Sequence, residues 1–543
     1  MEVNGIFKTS SLYNLAGQLT GKGTIHATDA VYNIAGRVSP GSSVGTMTIE
    51  GDFVNSSGGT YLAEVDSTGN DLLIVNGDAG LDGALLVWAL GGYMPEYGDT
   101  FQVLTADSIT GDFTDVGDNL TGTLYARAET SGDSVTVFID ASSFTDIAVT
   151  KNQRAIGAAL DSARKNDFGK FRGLFSDIDQ IPKQGLPSTL DLLMPYPAFF
   201  QGQFNSDFSM AFAQRFYTRG LELRDGRHRV SVDKPLFQSS MLACNDLTIL
   251  AFDTSHQNAG AKRNSHLSED FGMFLAGDFT YGDMRVNTGS EDFGAGGFTL
   301  GLDYRIAENF FFGVSGSYSK SEVEFSSFDP FVSEGFALGV YSTAIAGDWF
   351  ADFYAAYGKQ DYDLKRMIST PTSSRLAESS TSADQILAGI RGGYNLDYKG
   401  WHLDLSTALR YAWLQIEGYS ETGAGIYNLT VRDRDITSIQ VEGEIEVNYD
   451  IEFSNTVLTP FVYFVGGLEL KDELDTLKSH FTASPALTAF SVSTDLDQDW
   501  TTLGCGLRVR ISETALITLS YQTDLGQQVT DSSKVSASLR FVF

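Results

Sequence analysis

From Phe271 to the end of the chain, apolar and polar residues alternate with a period of two, the mark of strands with one greasy and one wet face. The alternation predicts twelve strands: 271–284, 294–306, 309–324, 334–346, 349–366, 384–398, 401–418, 436–452, 456–472, 498–511, 514–525 and 533–543. In the clearest, Ile439, Val441, Gly443, Ile445, Val447, Tyr449 and Ile451 share one face, while Gln440, Glu442, Glu444, Glu446, Asn448 and Asp450 share the other. Four carboxylates on one face of one strand do not fit a dry sandwich core. They face water, either outside a soluble sheet or inside a water-filled barrel. The links separate these alternatives. After the even strands they are very short (AEN, AGD, YKG, FSN and SE); after the odd strands they are longer, the fifth running through KRMISTPTSSRLAESSTSA and the ninth through DELDTLKSHFTASPALTAFSVSTDLDQD. Such alternation predicts an up-and-down antiparallel barrel crossing a membrane, with both barrel termini at the short-turn rim.

The apolar faces suit lipid. Trp401, Leu403, Leu405, Leu409, Tyr411 and Trp413 alternate with His402, Asp404, Ser406 and Arg410, and Leu503, Cys505, Leu507, Val509 and Ile511 with Arg508 and Arg510. Phe310, Phe311, Trp349, Trp401 and Trp500, near strand ends, are read as interfacial girdle residues. The last strand ends the chain on an aromatic: Val535, Ala537, Leu539, Phe541 and Phe543 form one face, with Ser536, Ser538 and Arg540 opposite. An apolar terminal strand invites aggregation unless it closes a barrel or is handed to a partner.

Upstream the texture differs. Residues 1–145 read as short strands (GTMTIEGDF, TYLAEV, DLLIVNG, ALLVWAL, TFQVL, SVTVFID) punctuated by Gly58-Gly59, Asn76-Gly77, Asp82-Gly83, Gly91-Gly92 and Gly98-Asp99, which suits a β-solenoid or a sandwich. Residues 146–268 form a linker region. It opens with a helical stretch in which Ile156, Leu160 and Ala163 recur at helical spacing behind an Asn152 cap. A second helix follows Pro195 and Pro197 and carries Phe204, Phe208, Phe212 and Phe216 every four residues, a stripe that needs an apolar groove to lie in. Residues 222–268 read as a polar linker with a short apolar patch near Cys244.

Composition removes several classes. A net charge of −32 repels phosphate and excludes a nucleic-acid partner. Cys244 and Cys505 are too few for a disulfide scaffold or a cysteine zinc cluster. No run of apolar residues is long enough for a transmembrane helix. The six histidines are scattered, and the chain contains no HExxH, GxSxG or Walker loop, so no catalytic residue, metal site or cofactor is assigned and no enzyme activity is expected. Gly132-Asp133-Ser134 is read as a turn into an alternating strand, and the acidic run 495–499 as a solvated outer loop.

Taken together, these features resemble the autotransporters of Gram-negative bacteria, the type V secretion family. RVSPGSSVGTMTIEGDFVNSSGGTYLAEVD and NDLLIVNGDAGLDGALLVWALGGYMPEYGDTFQVLTADSITGDFTDV look like the carboxyl end of a β-helical passenger, which often serves as an autochaperone region. TKNQRAIGAALDSA is similar to the family's linker, SEGFALGVYSTAIAGDWFADFYAAYG to its central barrel strands, and SLRFVF to the signal read by the barrel assembly machinery. The resemblance implies a mainly β fold: a twelve-stranded outer-membrane barrel over 269–543 threaded by a lumen helix, with a short right-handed parallel β-helix over 1–145 outside. It implies that the barrel secretes or displays its own amino-terminal passenger, with outer-membrane lipid, the assembly machinery and a host or neighbouring cell surface as partners. Phe204, Phe208, Phe212 and Phe216 would mark the lumen helix, and Glu442, Glu444, Glu446 and Asp450 a solvated acidic wall. An anchored adhesin stalk and a diffusion porin are the alternatives. The start MEVNGIFKTS shows no signal peptide, and the expectation is a fragment of a longer protein or a gene model started late.

Overall fold

The structure is a computed structural model. It describes residues 1–225, 271–286, 289–325, 328–453, 456–471, 475–494, 498–512, 515–526 and 530–542, and the backbone alone for 203–207, 225, 284–286, 289–290, 324–325, 328–330, 475, 494, 512, 530 and 542. The apolar patch near Cys244, the centre of the acidic run at 495–497, and Phe543 lie outside the described residues, as does the Phe204 side chain.

Residues 1–118 wind back and forth between two parallel sheets. One holds Ile6–Thr9, Thr24–Asn33, Thr46–Asn55, Leu72–Leu81 and Thr100–Gly111; the other holds Gln18–Gly21, Arg37–Pro40, Thr60–Asp66, Ala84–Ala89 and Asp115–Asp118. Each turn sets its apolar residues above those of the last, as in Ile25, Ile49 and Val75, or Val38, Tyr61 and Leu85, so one core runs along the coil. Where the chain bends, asparagines stack. Asn14 Nδ2 donates to Asn33 Oδ1 at 2.9 Å, and Asn33 Nδ2 to Asn55 Oδ1 at 2.7 Å, which satisfies amides that the core would otherwise leave unpaired. An antiparallel hairpin, Leu124–Ser131 with Ser134–Ala141, closes the downstream edge, and Gly132-Asp133 is its turn.

Asp71 is fully buried between the sheets, accepting from the Gly45 amide at 2.9 Å and the Glu64 amide at 3.0 Å. Burial outweighs those two donors and pushes its carboxyl up to about 7. A raised carboxyl favours folding while it is protonated, so its contribution is complete below the ordinary aspartate range and is lost as the pH climbs through 7. That loss is on the order of 4 kcal/mol. Amide exchange over residues 45–75, corrected for intrinsic rates, should therefore be faster at pH 8 than at pH 5. Equal protection at both would contradict this reading of Asp71.

Beyond the hairpin, a turn of helix at Phe144–Ile147 is tied to the helix α1, Lys151–Ile178, through Asp161, which accepts from the Phe144 amide at 2.8 Å. Gly157 permits this contact, because a Cβ there would lie 2.9 Å from the Phe144 carbonyl carbon. The cap of α1 is Thr150, in a reciprocal box with Gln153, and not Asn152. Asn152 instead clamps an edge strand, donating to Ser493 O at 2.7 Å and accepting from Ser493 N at 3.0 Å. Helices α2, Leu186–Leu192, and α3, Phe199–Asp225, follow across the two prolines.

The carboxy-terminal half is a closed antiparallel barrel: β1 Phe271–Val286, β2 Gly289–Ala307, β3 Phe310–Phe325, β4 Phe328–Ala346, β5 Trp349–Ser369, β6 Ser374–Tyr398, β7 Trp401–Ile416, β8 Arg434–Tyr449 (prolonged by Ile451–Phe453), β9 Thr456–Glu469, β10 Asp499–Ser512, β11 Ala515–Leu525 and β12 Thr530–Val542. Each strand pairs with its sequence neighbours, and β1 pairs with β12 from Gly272↔Val542 to Met284↔Thr530. Parity is as the alternation predicts: Leu338, Ile390, Leu409, Ile445 and Val535 point outward, and Asp303, Arg391, Arg410, Glu446 and Lys534 inward. At the short-turn rim Trp349 packs edge-on against Tyr394 and Trp401 lies tilted against Tyr449, outside the barrel. Two expected girdle residues are placed otherwise: Phe311 and Trp500 are buried on the inward side. Inside, Phe311 joins Leu223 and Trp500 faces Arg410, so proximity to a strand end did not decide their side; parity did.

Several links expected to be long loops are strand instead. β5 and β6 run 21 and 25 residues, far more than the 9–11 that cross a bilayer, and meet in a tight turn at 370–373. The seventh and ninth links fold into a four-stranded sheet of Tyr419–Ser420, Leu429–Val431, Asp475–Phe481 and Phe490–Thr494. Leu429, Val431, Leu477, Phe481 and Val492 of that sheet pack with Ile156, Leu160 and Phe171 of α1 in a single core. Strand beyond the membrane is retained because it has this helix to cover it.

Candidate functional site

Two linked regions form the candidate site: the lumen and its mouth at the long-link rim. The mouth is sealed by apolar side chains. Inward residues Phe293, Val323, Tyr362, Leu364, Ala383, Leu414 and Ile416 surround Leu186, Leu190, Leu193, Met194 and Phe200 of the descending linker. Polar contacts fix the seal at its edges. Arg366, essentially unexposed, grips both oxygens of Glu421 at 2.8 and 2.6 Å and donates to the carbonyls of Leu192 at 3.0 Å and Tyr427 at 2.8 Å. Asp177 of α1 accepts from Thr372 at 2.6 Å, Ser373 at 3.0 Å and the Tyr427 hydroxyl at 2.8 Å, holding the β5–β6 turn against the helix. These three donors outweigh partial burial and lower its carboxyl below the usual range. Arg164 joins the coil to the linker. It pairs with buried Asp179, donates to Thr123 at 3.0 Å, and lies over the rings of both Phe144 and Phe175, 4.5 and 4.6 Å from their centroids.

Below the seal, α3 runs down the lumen to the short-turn rim. Phe208, Phe212 and Phe216 are buried and lie along an apolar groove of the wall. Phe216 rests 5.2 Å from Tyr341, 5.6 Å from Tyr354 and 6.4 Å from Phe274, ring centre to ring centre. The lower half is fixed by charge. Arg215 donates to Asp278 at 2.5 Å and Thr299 at 3.1 Å; Arg219 holds Asp303 with two bonds of 2.8 Å; Arg224 donates to Asp352 at 2.8 Å and lies over the Phe350 ring. Gly220 brings the helix against the wall, since a Cβ there would lie 2.4 Å from Asp352 Oδ1.

The acidic wall of β8 faces inward, as its parity requires, but it is paired and not solvated. Glu442 binds Arg410, Glu444 lies 3.2 Å from Arg391, and Glu446 takes both terminal nitrogens of Arg508 at 2.8 Å. The arginines come from β7, β6 and β10, strands one or two places from β8 in the sheet. Asp450 is separate from the three glutamates. It sits past the end of β8 at the short-turn rim, accepting from Thr459 at 2.6 Å and facing His402 at 3.2 Å. Of the terminal strand, Val535, Ala537 and Phe541 face outward and Leu539 is half-buried on the same side. Sequence reasoning missed Arg215, Arg219, Arg224 and their partners Asp278, Asp303 and Asp352. The available signal was a set of basic residues beside the phenylalanine stripe, matched by single aspartates at inward positions of strands otherwise lined by Gly, Ser and Thr.

The arrangement is a polar tube, corked above and occupied by a helix of its own chain, with no group of three or more His, Cys, Asp or Glu placed to hold a metal among the described residues. Residues 272–522 match the family model described as autotransporter beta-domain. The chain is 26% identical over 215 residues to Esterase EstA of Pseudomonas aeruginosa, covering 38% of this chain and 33% of that protein, so it spans about a third of that relative's length. It is 27% identical over 154 residues to the probable outer membrane protein PmpD of Chlamydia trachomatis, covering 25% of this chain and 10% of that protein. Among solved structures it is similar to the translocator domain of autotransporter NalP from Neisseria meningitidis (TM-score 0.42, 15% identity, 51% of this chain and 89% of that one). It is also similar to the beta domain of the Bordetella autotransporter BrkA (TM-score 0.39, 13% identity, 50% and 100%). The carboxy-terminal half of the chain is thus an autotransporter beta-domain, a β-barrel of the outer membrane.

Proposed function

We propose that this barrel carries the amino-terminal region of its own chain to the cell surface and holds it there. The observation that carries this reading is the threading: the coil of residues 1–141 lies beyond the long-link mouth, α3 descends the lumen once, and β1 starts at the opposite rim. A closed barrel has no lateral opening through which such a path could form afterwards, so the chain and the lumen belong to one passage event. The chain contains no nucleotide-binding motif, and burial of apolar rungs in the coil, followed by the seal at the mouth, supplies an outward bias. The outward face of Val535, Ala537, Leu539 and Phe541 is the part offered to the assembly machinery, and the remaining outer wall is offered to lipid. The esterase activity named for the EstA relative belongs to a protein about three times the matched length and is not extended to this chain.

Single cysteines in a Cys244→Ser, Cys505→Ser background test the orientation on intact cells. Cysteine at Asp133, the hairpin tip, or at Thr372, in the β5–β6 turn, should react with a membrane-impermeant maleimide. Cysteine at Asp348, in a short turn, should react only after the outer membrane is permeabilised. Labelling of Asp348→Cys on intact cells, or protection of Asp133→Cys, would sink the proposal.

A further inference from the structure

The barrel closes where its first and last strands meet, and those strands stand at opposite ends of its sequence. Neither strand alone fixes how they align. Because side chains alternate, a slip of two residues keeps every apolar side chain outward, so the hydrophobic pattern does not discriminate between the two registers. The lower end of α3 touches both sides of this seam. Glu222 is buried; one carboxylate oxygen accepts from Ser538 of β12 at 2.6 Å and from Thr518 of β11 at 3.5 Å, and its main-chain carbonyl accepts from Arg540 of β12 at 2.6 Å. Its other oxygen meets Arg219 at 3.3 Å. Arg219 in turn holds Asp303 of β2 through two bonds of 2.8 Å and lies over Phe274 of β1. Asp303 also accepts from Tyr341 of β4 at 2.7 Å. A continuous polar chain thus crosses the seam from β11 and β12 to β2 and β4 through two helix residues.

We propose that Arg219 and Glu222 set the register of barrel closure, so that the lumen helix acts as a template for the seam as well as an occupant of the tube. A two-residue slip of β12 would put Ser536 or Arg540 in the place of Ser538 beside the buried Glu222 carboxylate, and Ser538 or Val542 in the place of Arg540 beside its main-chain carbonyl, so only the native register gives Glu222 both Ser538 and Arg540 in their present places. Arg224, paired with Asp352 of β5, is an ion pair of the same kind that does not cross the seam.

The test uses the full chain in the Cys244→Ser, Cys505→Ser background, assembled into lipid vesicles. Cysteines at Gly277 and Ala537 report the native register, in which those residues are partners. Cysteines at Gly277 with Val535, or Gly277 with Leu539, report the two slipped registers. Without further change, the Gly277–Ala537 disulfide should form and the slipped pairs should not. Glu222→Leu should reduce native-register cross-linking several-fold, either with slipped pairs gaining or with the barrel losing its heat-resistant mobility in detergent gels, while Arg224→Met should leave it near the parent level. Any result in which Glu222→Leu is no more damaging than Arg224→Met, including equal failure of both to assemble, overturns the proposal in favour of general packing.

Discussion

Replacing Arg366 by Met opens the mouth of the barrel. The guanidinium is buried and makes four contacts, two to Glu421 and two to carbonyl oxygens of Leu192 and Tyr427. Met fills much of the volume but leaves a buried carboxylate and two carbonyls without that donor, a loss of about 3–5 kcal/mol by analogy with other broken buried pairs. Because the Glu421 carboxylate also accepts from the Leu429 amide at 2.7 Å, the small sheet over the mouth should loosen with it. The expected readout is local: amide exchange over 419–431 and 475–494 accelerates by at least a hundredfold, while the ladders of β1–β4 are unchanged. Adding Glu421→Gln should restore much of the protection by removing the stranded charge. Unchanged exchange in the single variant would show that the seal is held by its apolar residues alone.

How far the sequence could be read depended on which contacts were local. Barrel parity was legible because each strand carries its own record of in and out, and Ile439 to Ile451 needed no partner to be assigned. Strand ends were less so: β5 and β6 continue past the membrane, and the stretches 367–369 and 374–383 look like loop until α1 is placed beside them. The ninth link was misread for the same reason, since Leu477, Phe481 and Val492 are core only in the presence of Phe171 and Leu160. In the lumen the phenylalanine stripe gave the helix away through its four-residue spacing. The arginine clamps did not, because each joins residues far apart in sequence, and Glu222 to Ser538 is the extreme case. Reading Glu442, Glu444 and Glu446 as solvated followed from looking at one strand. Their partners lie on β7, β6 and β10, and a single strand does not disclose them.

The second large effect concerns the tube itself. A twelve-stranded barrel with a charged inner wall conducts ions when it is empty, and here α3 and the seal above it fill the passage. Since α3 is proposed to guide closure, it must be removed after assembly and not by deletion. Protease sites engineered beside Gly185 and within residues 226–270 allow the helix to be cut out of the finished barrel and washed away in urea, with the β1–β12 ladder holding the wall shut. Single-channel conductance in planar bilayers is then compared before and after excision. The account predicts a small conductance for the intact chain and an increase of about tenfold or more once mass spectrometry shows the helix gone. A barrel that has lost the helix yet conducts no better than the intact chain would contradict it.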